Sequence, residues 1–275
     1  MAKRISLFFI LALAFLCLVS CSSLLEEYFI YNGILSPVTT SAQTTHAPVV
    51  ITTPDPADTG VKEPDTPPVT TVKTNGVLIM LDAGHGENDP GAAGRLDGVS
   101  YPEKDFNLDV CLRLKDELTL RGYEVLCIRE TDTSLLHGWD TQGEAVARRE
   151  LGVSRGVDLY VSLHCNSFAG SGRAWGPIIF YNGGAQYKAE KMAKCLQKSL
   201  TSGFSDFPAT RACRLVDDGD YIVLKNKKMP SFLIEMGFLT DDSDLSLFVS
   251  EDWRSAMARA IADGIDKLLE DDFIG

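Results

Sequence analysis

The chain has 275 residues, of which 45% are hydrophobic and 23% charged, enough for one sizeable folded domain with additional segments. A formal net charge of −12 excludes a nucleic-acid partner, whose recognition calls for a basic surface. No internal repeat is visible.

The N-terminus has the pattern of a processing signal. Lys3 and Arg4 precede an apolar run from Ile5 to Val19, shorter than the about 20 residues a membrane span needs and suited to a signal-peptide core. It ends in Leu18-Val19-Ser20-Cys21, which resembles the lipobox of bacterial lipoproteins. That resemblance implies a signal over 1–20 and lipidation of Cys21. Residues 21–75 then form a lipid-anchored tether rich in Thr and Pro, with Pro37, Pro48, Pro54, Pro56, Pro64, Pro67 and Pro68 blocking regular structure. Extended at about 3.1 Å per residue, some 40 residues of it would reach on the order of 100 Å.

The folded part is expected over 76–275. Val77–Leu81 is a continuous apolar run, the mark of a strand buried on both faces. Ser100-Tyr101-Pro102-Glu103 opens a helix whose apolar stripe is Phe106, Val110, Leu114 and Leu118 and which Gly122 ends. Further strands are expected at Tyr123–Ile128, Val157–Leu163, Pro177–Tyr181, Tyr221–Leu224 and Ser231–Ile234. Ala189, Met192, Ala193, Leu196 and Leu200 mark a second helix, and Trp253, Met257, Ile261, Ile265 and Leu268 a closing one. This alternation predicts a single α/β domain with a mostly parallel central sheet flanked by helices on both faces.

Seven cysteines occur. With Cys17 and Cys21 assigned to export, Cys111, Cys127, Cys165, Cys195 and Cys213 remain, an odd number, and no essential disulfide is expected. No Cys-x-x-Cys spacing points to a sulfur-bound metal.

Three segments carry chemistry: Asp82-Ala83-Gly84-His85-Gly86, Ser162-Leu163-His164-Cys165-Asn166 and Leu233-Ile234-Glu235-Met236-Gly237-Phe238. Each places a metal-capable or acid/base side chain at the end of an apolar run, and the carboxyl ends of strands in open α/β sheets form the ligand crevice. Catalytic zinc keeps three protein ligands and an open position, and His85, His164 and Glu103 supply that set. Glu235, inside an apolar run, is the candidate proton shuttle. Each residue also has a plainer reading. His85 could be a turn residue, His164 a histidine at the core edge, and Glu103 the last member of a capping box begun by Ser100.

With these residues in place, the region from Gly76 to Leu269 resembles the zinc-dependent N-acetylmuramoyl-L-alanine amidases of the type-3 amidase family. The resemblance runs through Leu81–Ala92, Glu103–Leu108, Asp158–Asn166, Tyr221–Asn226, Met229-Pro230 and Glu235–Leu239. It implies one Zn2+ per chain on His85, Glu103 and His164, with Glu235 as catalytic acid/base. Asp82 and Asn107 are candidates for orienting the ligands. The implied reaction is hydrolysis of the amide between N-acetylmuramic acid and L-alanine in peptidoglycan, by a monomer facing the cell wall and held to the membrane by its lipid, with a protein activator left open. Another zinc-dependent wall peptidase, or a non-catalytic wall-binding lipoprotein, are the alternatives; a serine hydrolase lacks its Gly-x-Ser-x-Gly elbow here. The chain departs from the family pattern at Glu87, Cys165 and Gly152-Val153. It has no long insertion between His164 and Glu235 of the kind that carries a self-blocking helix in some relatives.

Overall fold

The computed structural model describes residues 74–136, 140–169 and 174–275. The signal, Cys21, the tether and His137 lie outside the described residues. No helix among the described residues is long and apolar enough to cross a membrane.

The elements in chain order are β1 (Leu78–Ala83), β2 (Ala93–Leu96), β3 (Val99–Pro102), α1 (Glu103–Leu120), β4 (Glu124–Cys127), α2 (Thr141–Arg155), β5 (Leu159–Asn166), β6 (Ile178–Tyr181), α3 (Ala189–Ser202), β7 (Arg214–Asp217), β8 (Ser231–Phe238), α4 (Asp242–Val249) and α5 (Glu251–Glu270). Six strands form one sheet in the order β4-β1-β5-β8-β6-β7. All neighbours run parallel except β6, which is antiparallel to β8. The fold is therefore an α/β domain with a mostly parallel sheet between helices.

The central strands are apolar on both faces because both faces are covered. On one side α1 and α3 pack against α5, and their buried residues join Ile79, Leu81, Val161, Leu163, Phe232 and Ile234 in one core. On the other, α2 lies close enough to the sheet that a Cβ on Gly152 would meet Tyr160 of β5 at 2.9 Å. Three strands run further than their apolar cores foretell. β1 extends through Asp82 and Ala83, β5 through His164 to Asn166, and β8 through Glu235 to Phe238, so the polar residues hang from regular ladder positions and inherit their rigidity.

Two expectations need correction. Tyr221–Leu224 is not a strand; Ile222–Leu224 is a single 3-10 turn. Its carbonyls are met by the turn's own backbone, Leu224 N at Tyr221 O, Lys225 N at Ile222 O and Asn226 N at Leu224 O, with Asn182 Nδ2 and Arg149 Nη1 adding bonds to Leu224 O and Ile222 O, so no neighbouring strand is needed. The capping box at Ser100 does not form either. The N-cap of α1 is Pro102, without a side-chain cap bond, and Ser100 pairs with Arg95 in the β2–β3 hairpin.

Candidate active site

Glu103 is the first residue of α1 and is 4% exposed. Its Oε2 accepts from Ala92 N at 2.8 Å, and its Oε1 from Cys165 N at 3.0 Å and Asn107 Nδ2 at 3.3 Å. The same Oε1 lies 3.2 Å from His85 Nε2 and 2.9 Å from His164 Nδ1. One ligand atom from each of His85, Glu103 and His164 falls within 4.8 Å of the others. Three residues far apart in the chain thus converge on one point.

His85 sits in a left-handed conformation, φ 63°, just past the end of β1. Arg148 Nη2 donates to its carbonyl at 2.8 Å. Its Nδ1 lies 2.7 Å from Asp89 Oδ2, and Asp89 Oδ1 in turn accepts from Gly91 N at 3.0 Å. A proton on Nδ1 satisfies Asp89 and leaves the Nε2 lone pair aimed into the cluster. Burial pulls the His85 imidazole down, but Glu103 and Asp89 outweigh it and lift it to about 9. Burial opposes the charge on Glu103 as well, yet the hydrogen bonds from His164 and His85 hold it far below the usual carboxylate range.

Glu235 and His164 are register partners across β8 and β5, so both project to the same face of the sheet. Glu235 is 7% exposed, and its Oε2 is buried without a hydrogen-bond partner. Burial, with a smaller contribution from the charge on Glu103, pushes its carboxyl up to about 7. A carboxyl poised near neutrality, with one oxygen uncommitted, is what proton transfer to and from a substrate requires.

Asn107, one turn along α1 from Glu103, donates to Glu103 Oε1 and to Gly84 O at 3.2 Å and accepts from the Cys165 thiol at 3.4 Å. Asp82 reaches the ligands less directly. Its carboxylate accepts from Arg148 Nη1 at 2.8 Å, Tyr160 Oη at 2.8 Å and Ser162 Oγ at 2.7 Å and makes no hydrogen bond to His85, Glu103 or His164. Its hydrogen bonds reach the site through Arg148, which also holds the His85 carbonyl, and its charge acts on His164. Sequence reasoning did not single out Asp89; the signal was a carboxylate four residues after His85 within a turn. Glu87 adopts φ 53°, the left-handed region that favours glycine.

The residues fit a zinc ion. Two imidazole nitrogens and one carboxylate oxygen are a zinc donor set that leaves a fourth position open, and the backbone around them is cleared of side chains. A Cβ on Gly84 would stand 2.2 Å from His164 Cε1, and one on Gly91 2.6 Å from Glu103 Oε2.

An open α/β sheet carrying a convergent His-Glu-His cluster at its strand ends, with an uncommitted buried carboxylate alongside, defines a hydrolase active site in its chemistry. The sequence profile described as N-acetylmuramoyl-L-alanine amidase (Amidase_3) matches residues 79–267, and the chain belongs to that family. It is 34% identical over 194 residues, covering 70% of this chain and 84% of the relative, to the YqiI protein of Bacillus subtilis strain 168. It is 30% identical over 197 residues, covering 70% and 79%, to the germination-specific N-acetylmuramoyl-L-alanine amidase of the same organism. Among solved structures, the CwlD amidase of Clostridioides difficile, determined in complex with the GerS lipoprotein, superposes with a TM-score of 0.60 at 32% identity, over 70% of this chain and 98% of that one.

Proposed function

We propose that this amidase hydrolyses the bond between the lactyl carbonyl of N-acetylmuramic acid and the amine of L-alanine, with one zinc that His85, Glu103 and His164 would hold. The observation that carries the reading is the register pairing of Glu235 with His164, which puts an unpartnered, near-neutral carboxyl beside the ligand cluster. When bound, the ion supplies Lewis acidity at the scissile carbonyl and lowers the pKa of water. Glu235 takes a proton from the attacking water and returns it to the departing L-alanine nitrogen, so the muramoyl carboxylate and a free amine are the products. Asp89 holds the His85 ring, Asn107 holds the Glu103 carboxylate, and the dry surroundings of Glu235 keep its proton affinity high enough for both transfers.

The leader supports an extracytoplasmic location. Cleavage after residue 20 and lipidation of Cys21 would leave the domain on a tether, facing the wall as a monomer. The CwlD amidase has been captured with the GerS lipoprotein, and a protein activator is the partner to look for beside peptidoglycan itself.

The test is digestion of purified peptidoglycan with and without a zinc chelator, followed by identification of the new termini. New L-alanine amines that vanish on chelation and return with zinc establish the reading. Amines from another residue make the protein a different wall peptidase.

A further inference from the structure

Beyond the catalytic residues, the sheet places one arginine, Arg214, in line with them, and a second, Arg211, stands beside it. Glu235 of β8 is in register with Ile178 of β6, and Ile178 with Arg214 of β7. With His164 opposite Glu235 on β5, one row crosses four strands as His164, Glu235, Ile178, Arg214. Residues in register project to the same face, and neighbouring strands are about 4.8 Å apart, so Arg214 stands roughly 10 Å along the sheet from Glu235.

Its guanidinium is held toward the site. Arg214 Cζ is 5.8 Å from the centroid of Phe238, the last residue of β8, and Nη2 donates to Trp175 O at 2.8 Å. Arg211 lies with its Cζ 5.7 Å from the Trp175 ring centroid. The Trp175 segment is itself pinned to the catalytic strand. Asp244 Oδ2 accepts from Gly176 N at 2.7 Å and from Phe238 N at 2.8 Å, and the Arg211 charge acts on this carboxylate without forming an ion pair with it. Trp175, Arg211 and Arg214 line one open cleft and are exposed. No ion pair among the described residues engages either guanidinium, in a chain of net charge −12.

Resting on the amidase reading, we propose that Arg211 and Arg214, over Trp175 and Phe238, form a subsite for a carboxylate of the stem peptide. Guanidinium groups bind carboxylates in a fixed fork geometry, and the aromatic faces hold them in place. An extended peptide advances 3.3–3.6 Å per residue, so roughly 10 Å from Glu235 corresponds to a carboxylate two or three residues beyond the scissile amide. The row thus sorts substrates by charge at a distance from the chemistry. A stem whose carboxyl groups are converted to carboxamides loses the contact and keeps the reaction.

The experiment compares the full chain with the Arg211→Ala/Arg214→Ala variant on two synthetic muramoyl tripeptides, one with free carboxyl groups and one with carboxamides. The variant is expected to lose about tenfold in kcat/KM on the acid, through KM, and less than twofold on the amide. Equal loss on both, or none on either, overturns the subsite. Calorimetric binding of the free tripeptide acid and amide reads the subsite without turnover: the acid should bind about tenfold more weakly to the variant and the amide equally to both proteins. If intact protein binds the acid in preference to the amide and cleaves neither muramoyl peptide, the amidase reading fails while the subsite stands. If it cleaves both equally and binds both equally, the subsite fails alone.

Discussion

The carboxylate of Asp82 and the guanidinium of Arg148 lie 2.8 Å apart in the interior, 1% and 4% exposed. Burial disfavours both charges, but Arg148 holds Asp82 below its ordinary value and Asp82 with Glu144 holds Arg148 above its own. Arg148 reaches from α2 across the sheet to the carbonyls of Ala83 and His85, so the pair clamps the turn that carries the first histidine.

Removing one partner of such a pair strands the other charge. Asp82→Ala should cost about 3–5 kcal/mol of folding stability. Replacing both partners, as Asp82→Leu with Arg148→Met, should cost clearly less. Urea unfolding of the three proteins measures this, and a single variant within about 1 kcal/mol of the parent would contradict a buried, mutually dependent pair.

Glu235 sets a second expectation. In the metal-free protein its carboxyl is raised from 4.5 to about 7, so the folded state holds the proton more tightly than the unfolded chain. Its contribution is fully present below pH 4.5 and is lost as pH rises through about 7. At 1.36 kcal/mol for each pH unit, the loss approaches about 3 kcal/mol by pH 8. Glu235→Gln should flatten that part of the stability profile and make the metal-free protein more stable than the parent at pH 8, while hydrolysis falls by about 10²–10⁴-fold. Parallel stability profiles for the two proteins between pH 4.5 and 8 would show that Glu235 carries no such proton.

These two carboxylates mark where sequence stops being legible. Glu235 stands out because a lone acid in an apolar run has few structural explanations, and the two strand-end histidines because the chain has only four. The partner of Asp82 is another matter, since Arg148 lies 66 residues away and no local pattern selects it. Local patterns also mislead. Ser100-x-x-Glu103 reads as a capping box until Ser100 is seen paired in a hairpin. That hairpin turns at Asp97-Gly98, with φ 50° and 81°, a two-residue signal present in the sequence. Tyr221–Leu224 has strand composition, but its carbonyls are satisfied within a local turn, and the side chains that add to them, Asn182 and Arg149, come from distant segments.

Metal removal gives a third expectation. Zinc that binds only the folded protein stabilises it by about 2.7 kcal/mol at one hundred times its Kd, which for a domain of this size raises Tm by roughly 5–11 °C. Chelation should reverse the rise and abolish hydrolysis together. His164→Ala and Glu103→Ala should remove the zinc-dependent rise. A calorimetric scan with and without zinc decides, and a rise that persists in both variants would move the metal elsewhere.

The glycine beside His164 is the last and most local test. A Cβ at position 84 would stand 2.2 Å from Cε1 and 2.3 Å from Nε2 of His164, closer than any packed atoms. The Gly84 carbonyl cannot easily retreat, because Asn107 Nδ2 and Arg129 Nη2 both donate to it. The histidine ring must therefore give way, and with it Nδ1. Gly84→Ala should lower zinc affinity by at least about 10–100-fold, the range seen when a ligand loses its orientation, and cost about 1–3 kcal/mol from overpacking. Gly98→Ala makes the matching control. It adds a Cβ that meets nothing within 4 Å but sits at φ 81°, so it should cost about 1–2 kcal/mol of stability and leave zinc affinity unchanged. Titration of both variants with zinc separates a blocked ligand from a strained backbone, and equal affinities would refute the placement of His164 in the metal site.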